Sequence, residues 1–209
     1  TLIRMGSLVE EQIENAVKAV LEADEKLADR VVQIDSKVDA FDNEIDQRCM
    51  RIFALSQPVA IDLRLLMAAL KINNELERIG DIAVNLAERV KPLKAFTDFS
   101  KETGIHEMAI AARTMVKNAI DSFVNNDPDL AREILKADDK IDQLDARNFN
   151  EMIERMQESP KNIVPASHLM ILSRHIERLA DHATNIAEDV IFLVNAKIIK
   201  HHAEGEAKG

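Results

Sequence analysis

The chain has no tryptophan and no tyrosine, a single cysteine, and only five glycines and five prolines in 209 residues. One cysteine, Cys49, excludes an intrachain disulfide and fits a reducing, cytosolic setting. All-β folds spend aromatic and β-branched residues freely, and a chain whose only aromatics are seven Phe reads instead as all-α. No apolar run approaches the roughly 18 residues of a membrane span; the stretch from Val190 to Val194 is too short. A basic stripe is missing too. The net charge of −10 argues against nucleic acid as a partner and for cations or basic protein surfaces. There is no glycine-rich phosphate loop and no Ser-His-Asp elbow. No Glu or Asp stands three residues before any of the six histidines, which removes a ferritin-type di-iron oxidase. The paired carboxylates lack an apolar, pKa-raising pocket in the sequence, which argues against a hydrolase. The chain begins at Thr1 rather than Met, so further residues are expected before it and a removed signal peptide stays open.

What the chain does have is a repeat. Glu77-Arg78-Ile79-Gly80-Asp81, followed by Ala83, Asn85, Ala87-Glu88 and Val90, returns as Glu177-Arg178-Leu179-Ala180-Asp181, followed by Ala183, Asn185, Ala187-Glu188 and Val190. The offset is constant (177 − 77 = 100). Core packing alone does not ask for matched polar residues, so a repeat that keeps its charged positions suggests one site built twice. The prolines and apolar periodicity predict six helices, near 1–22, 25–56, 59–91, 101–124, 128–157 and 164–200. Pro128 after Asp127 is an N-cap with Pro at the first helical position, and Pro92 is expected to close the third helix. Val31, Ile34, Val38, Phe41 and Ile45 form the apolar stripe of the second helix. Leu65, Ile72, Leu76, Ile79, Ala83, Leu86 and Val90 form that of the third. Each half is then three amphipathic helices enclosing a core. The expected division is 1–93, 94–200 and a polar tail from His201 to Gly209 that is expected to be disordered. Met5, Met50, Met67, Met108, Met115 and Met170 are expected to fill the core, and Cys49 to be buried.

The polar faces carry the chemistry. Asp35, Asp39, Asp42 and Asp46 lie within about 60° of one another on a helix, and Asp138, Asp142 and Asp145 repeat three of them. Each neighbouring like-charge pair costs about 0.2–0.5 kcal/mol. Glu77, Asp81 and Glu88, and likewise Glu177, Asp181 and Glu188, share a face expected to lie opposite the apolar stripe, with Asn85 and Asn185 at the border. A solvated face is the plain reading of one such row. A self-repelling row kept in both halves favours a cation between facing carboxylates, and oxygen donors suit hard or borderline cations such as Mg, Mn, Ca or oxidised iron. Arg78 and Arg178 read as salt-bridge partners of these acids. Gly80, matched by Ala180, reads as close approach of a neighbouring helix. His182 has Ile82 as its counterpart and His175 has Glu75, so both read as local hydrogen-bonding residues rather than shared ligands.

These motifs resemble the PhoU family of phosphate-signalling proteins, over nearly the whole chain. The marks are Arg4-Met5-Gly6, Gln57-Pro58-Val59-Ala60 with Asp62-Leu63-Arg64, Lys71-Ile72, Leu76 to Asp81 with its repeat from Ile176 to Asp181, and His182 to Glu188. The ending Val194-Asn195-Ala196 departs from the glycine-containing ending expected of the family. The resemblance implies an all-α fold of two pseudo-symmetric three-helix bundles side by side. It implies metal-binding motifs, here Glu77/Asp81 and Glu177/Asp181, holding iron or Mg, Mn or Zn in multinuclear clusters. Asp39, Asp42, Asp142 and Asp145 complete the clusters by helix geometry. It also implies a non-enzymatic, cytoplasmic adaptor that represses the phosphate-starvation response. Such an adaptor couples the phosphate ABC transporter, through its ATPase subunit PstB, to the sensor histidine kinase PhoR. It meets the membrane only through those partners, as monomer or homodimer. The alternatives are a metal-dependent phosphate-handling enzyme, a metal-binding scaffold without a signalling role, and a histidine phosphotransfer module using His175 or His182.

Overall fold

In a computed structural model, which describes residues 1–97, 99 and 103–196, the described residues form six long α-helices and no strand. They are α1 (Leu2–Glu22), α2 (Glu25–Ser56), α3 (Ala60–Leu93), α4 (Ile105–Asn125), α5 (Pro128–Glu158) and α6 (Ile163–Asn195). Short 3-10 turns, Lys94–Phe96 and Pro160–Asn162, precede α4 and α6. The expected tail from His201 and the end expected for α6 near 200 lie outside the described residues.

The two α-hairpins are built by the same local chemistry. Asp24 caps α2, its Oδ1 accepting from the backbone N–H of Lys26 (2.9 Å) and Leu27 (3.1 Å). Asp127 caps α5 identically, accepting from Asp129 and Leu130 at 3.0 Å each. Each cap satisfies amide donors that the first helical turn leaves orphaned, worth about 1 kcal/mol. The residue before each cap, Ala23 (φ 54°) or Asn126 (φ 50°), adopts the left-handed conformation that ends the preceding helix. Pro128 sits at the start of α5 as expected. Pro92 does not close α3; the helix carries it inside its last turn and ends at Leu93.

α1, α2 and α3 pack on one another, as do α4, α5 and α6. The halves join side by side through α3 on α6 and α1 on α4, and the buried residues form one continuous core. Val31, Ile34, Val38 and Ile45 are buried on α2, with Phe41 half-buried. On α3 the stripe is buried from Leu66 onward, but Leu65 is 47% exposed. Met5, Met108 and Met115 fill the core; Met50 and Met67 do not. Met67, between buried Leu66 and Ala68, lines the cleft beside α6; the other two exceptions, Leu65 and Met50, have one cause. The last buried residue of α2 is Cys49 and the first of α3 is Leu66. With 32 and 34 residues against 21 in α1, the α2–α3 hairpin runs past the end of its partner helix. No helix among the described residues is long and apolar enough to cross a membrane.

Gly80 sits where α3 meets α1 and α2. A Cβ there would lie 3.2 Å from Gln12 Oε1 and 3.3 Å from Val38 Cγ1. The small residue is demanded by close approach of neighbouring helices, as the repeat suggested. Gly80→Val is therefore expected to lower unfolding stability by about 1–3 kcal/mol through overpacking, read as a lower urea midpoint with unchanged slope. An unchanged midpoint would mean the three helices are not in this close contact.

Candidate metal centres

Two acidic grooves, one per half, bring the sequence-predicted residues together. In the first, the α2 row of Asp35, Asp39, Asp42 and Asp46 faces Glu77 and Asp81 of α3. Burial pushes the Glu77 carboxyl above its ordinary range, and the charges of Asp81, Asp42 and Asp39 push it further, against the opposing pull of Arg78. Asp42 is raised by burial, then by Asp46 and Asp39, against Asn73 and Arg78. Asp35 is raised by burial, then by Asp39 and Asp81, with a hydrogen bond from Gln12 opposing. In the second groove, Glu177 is raised by burial, then by Asp181, Asp145 and Asp142, with Arg174 opposing. All eight expected residues, four from each half, are thus close enough to feel one another across a helix pair.

The grooves are not opposite the apolar stripe, as their helical phase suggested, but at its edge. Glu77 lies about 40° from Asn73 at one helical turn's spacing, and both Asn73 and Gly80 are buried. Side-chain exposure is accordingly low, 23% for Glu77 and 14% for Glu177. Glu88 lies on the same face about three turns further along α3 and is exposed. Asp138, expected in the second row, is buried outright at 3% exposure.

A second layer of polar groups was not singled out by the acidic pattern. Asn73 Nδ2 donates to Asp42 Oδ1 (2.7 Å) and Asp46 Oδ1 (3.2 Å). Gln12 Nε2 donates to Asp35 Oδ1 (3.2 Å) and to the Val31 carbonyl (3.3 Å). Ser173 Oγ, the repeat partner of Asn73, donates to Asp145 Oδ1 (2.7 Å). The available signal was a small polar residue standing inside an apolar stripe, at 12, 73 and 173. Arg78 pairs within its own helix with Glu77 and Asp81, each at 3.3 Å. In the second half it is Arg174, not Arg178, that pairs with Glu177 (2.7 Å).

Between the halves runs a polar seam. Lys71 Nζ meets Asp189 Oδ1 at 2.8 Å. His182 Nδ1 lies 2.6 Å from Glu75 Oε2, which also accepts from Asn185 (3.1 Å). His182 is thus a hydrogen-bonding residue tying α6 to α3, as its lack of a repeat partner indicated. These contacts, Lys71 with Asp189 and Glu75 with Asn185, make α3 and α6 antiparallel. A cleft of about 470 Å³ opens along them, lined by Lys71, Asn74, Glu75, Asn185, Glu188 and Asp189.

The donor set of the grooves is all oxygen, which suits hard cations. Three of its oxygens are buried with no hydrogen-bond partner: Gln12 Oε1 and Asn73 Oδ1 in the first groove, Glu177 Oε2 in the second. Such atoms lose their hydration without recompense. As the side chains stand, no three His, Cys, Asp or Glu among the described residues converge on one point. The residues present fit a cation in kind, by their oxygen donors, and not in the placement of their side chains.

The raised carboxyls have a consequence for stability. A group whose folded pKa exceeds its unfolded value stabilises the fold most when protonated, and loses that contribution as pH rises through the folded pKa. For metal-free protein, the share from Asp35, Asp42, Glu77 and Glu177 is therefore expected to grow as pH falls from neutral toward the ordinary carboxylate range of about 4. The melting midpoint should rise over that window, and Glu77→Gln with Glu177→Gln should remove much of the rise. A midpoint that falls equally in both proteins would mean that these carboxylates are not crowded.

Comparison with known proteins places this architecture. A family model described as the PhoU domain matches residues 2–90 and again 105–190. The phosphate-specific transport system accessory protein PhoU homolog of Aquifex aeolicus is 38% identical over 200 residues, 96% of this chain and 90% of that one. The same-named protein of Xylella fastidiosa is 36% identical over 196 residues, 94% of this chain and 81% of that one. The crystal structure of PhoU from Pseudomonas aeruginosa superposes with a TM-score of 0.86 at 35% identity, covering 94% of each chain. That of the phosphate transport system regulatory protein PhoU from Streptococcus pneumoniae gives 0.84 at 25% identity, covering 95% of this chain and 94% of that one. With both repeats matched, and relatives above a third identical across nearly all its length, the chain belongs to the PhoU family, whose members are accessory proteins rather than enzymes.

Proposed function

We propose that this chain is a cytoplasmic accessory regulator of phosphate uptake that represses the phosphate-starvation response. Its partners are the ATPase of the phosphate ABC transporter and a sensor histidine kinase of the PhoR type. Cations, iron or Mg, Mn or Zn, occupy the two acidic grooves. The observation that carries this reading is family membership joined to a duplicated, half-buried carboxylate groove. The relatives are named as accessory to a phosphate transport system, and an accessory protein acts through contacts rather than turnover.

Glu77, Asp81, Asp39 and Asp42 would hold a cation in the first half, and Glu177, Asp181, Asp142 and Asp145 in the second. The bound ion supplies positive charge that offsets the repulsion within each row. The chain's own residues set the rest. Asn73, Gln12 and Ser173 hold α2 and α5 carboxylates in place from behind. Arg78 and Arg174 draw part of the acidic charge toward themselves and moderate it. A filled groove fixes α2 to α3 and α5 to α6, so the outer helix faces offered to partners keep one relative orientation.

Elemental analysis after chelator-free purification tests the sites. Several metal equivalents per chain are expected, falling by about half in Glu77→Ala/Asp81→Ala because one of two grooves is lost. No metal in either protein after reconstitution would turn the grooves into partner-docking or solvated faces. The signalling role is tested separately by deleting the gene and assaying alkaline phosphatase in high phosphate. Derepression is expected; continued repression would end the regulatory reading.

A further inference from the structure

The two sides of the α3–α6 seam are related by the internal repeat but differ in charge. On one side the acids Glu75 and Asp189 are paired, with His182 and with Lys71. The repeat offset of 100 puts His175 where Glu75 stands and Arg89 where Asp189 stands (175 − 75 = 100; 189 − 89 = 100). Ile171 and Ile82 replace Lys71 and His182. Acids on one side have thus become bases on the other, and their partners have become apolar.

The antiparallel register set by Lys71 with Asp189 and Glu75 with Asn185 places Arg89 opposite Ile171 and Asn85 opposite His175. Arg178 lies one turn beyond His175 on α6. The guanidinium charges of Arg89 and Arg178 reach His175: with burial as the larger cause, they hold its imidazole below the usual range, and Glu88 is the acid that opposes them. Both Arg89 Nε and His175 Nδ1 are buried without a hydrogen-bond partner among the described residues. Two buried, unsatisfied nitrogens in one place are costly. Arg89 and Arg178 thus put two guanidinium charges beside this imidazole, with Glu88 the acid near them.

We propose that this side of the seam binds a small tetrahedral oxyanion, inorganic phosphate in the first instance, between Arg89 and Arg178 with His175 at its edge. The guanidinium fork matches two oxygens of such an ion at once, and it keeps its charge at any physiological pH. A neutral imidazole adds one N–H donor without further repulsion. An anion here bridges α3 and α6 on the side where no ion pair like Lys71–Asp189 joins them, so occupancy stiffens the join between the halves. The proposal does not depend on the metal grooves.

The test is titration of the full, chelator-treated chain with inorganic phosphate at low ionic strength, followed by calorimetry and by backbone amide shifts. Saturable one-to-one binding is expected, with shifts centred on the Arg89 end of α3 and the middle of α6. Arg89→Gln should weaken it about tenfold, the loss of a charge-assisted contact, and Lys71→Gln on the opposite side should leave it unchanged. His175→Phe serves as a second variant should Arg89→Gln fail to fold by circular dichroism. Absence of saturable binding up to about 10 mM, or binding that survives both Arg89→Gln and His175→Phe, overturns the proposal. A phosphoserine peptide that binds where inorganic phosphate does not also overturns it, assigning the cluster to a phosphorylated protein instead.

Discussion

The apolar surfaces of α3 and α6 each have to serve three neighbours at once. Each helix packs against the other two of its own half, α1 and α2 or α4 and α5, and the two pack against each other. Everything else is hung on that shared burial. Because these surfaces are covered by several helices, any polar residue at their margins is drawn into a crevice rather than left on an open face. Glu77 and Glu177 are half-buried for this reason, and so are the seam residues Glu75 and His182. The acidic grooves and the polar seam are two margins of one packing arrangement.

Crowding like charges at such a margin works against the fold. Asp35, Asp42, Glu77 and Glu177 are desolvated by burial and then repelled by neighbouring carboxylates. Amide and hydroxyl donors at Gln12, Asn73 and Ser173 return part of that cost, and arginines at 78 and 174 return some more. The remainder must be carried by the continuous core beneath, which is dense with buried aliphatic side chains from both halves. A site of this kind belongs on long, rigid helices with capped starts, since a loop would let the carboxylates drift apart.

Much of this was legible in the sequence because it is periodic. Six helices, the capped turn at Asp127, the close approach at Gly80 and the acidic rows all follow from spacing and repetition. Their division between the two halves followed too. What was not legible depends on helix ends and helix phase in three dimensions. Leu65 and Met50 fit an apolar pattern, yet stand on a hairpin that outruns its partner helix, and no local pattern encodes relative helix length. The acidic rows were expected opposite the core, yet lie beside it, because a helix with three packing neighbours has no free opposite face of full width. Asp138 matched its row by offset but is buried. Asn73 and Ser173 looked like interruptions of an apolar stripe; they are its link to the acids.

The charge pattern along the seam bears on how these halves are related to one another. Suppose the first half were copied and paired with itself in the same antiparallel register. Lys71 would then face Arg89, and Glu75 would face Ile82 and Asn85. Two copies of the second half would set Ile171 against Asp189 and His175 against His182. Neither self-pairing conserves the contacts that Lys71, Glu75, His182 and Asp189 make in the intact chain. Identical halves would be interchangeable between chains. Here the seam contacts match each half to the other in polarity, so polarity as well as the peptide link favours the covalent tandem.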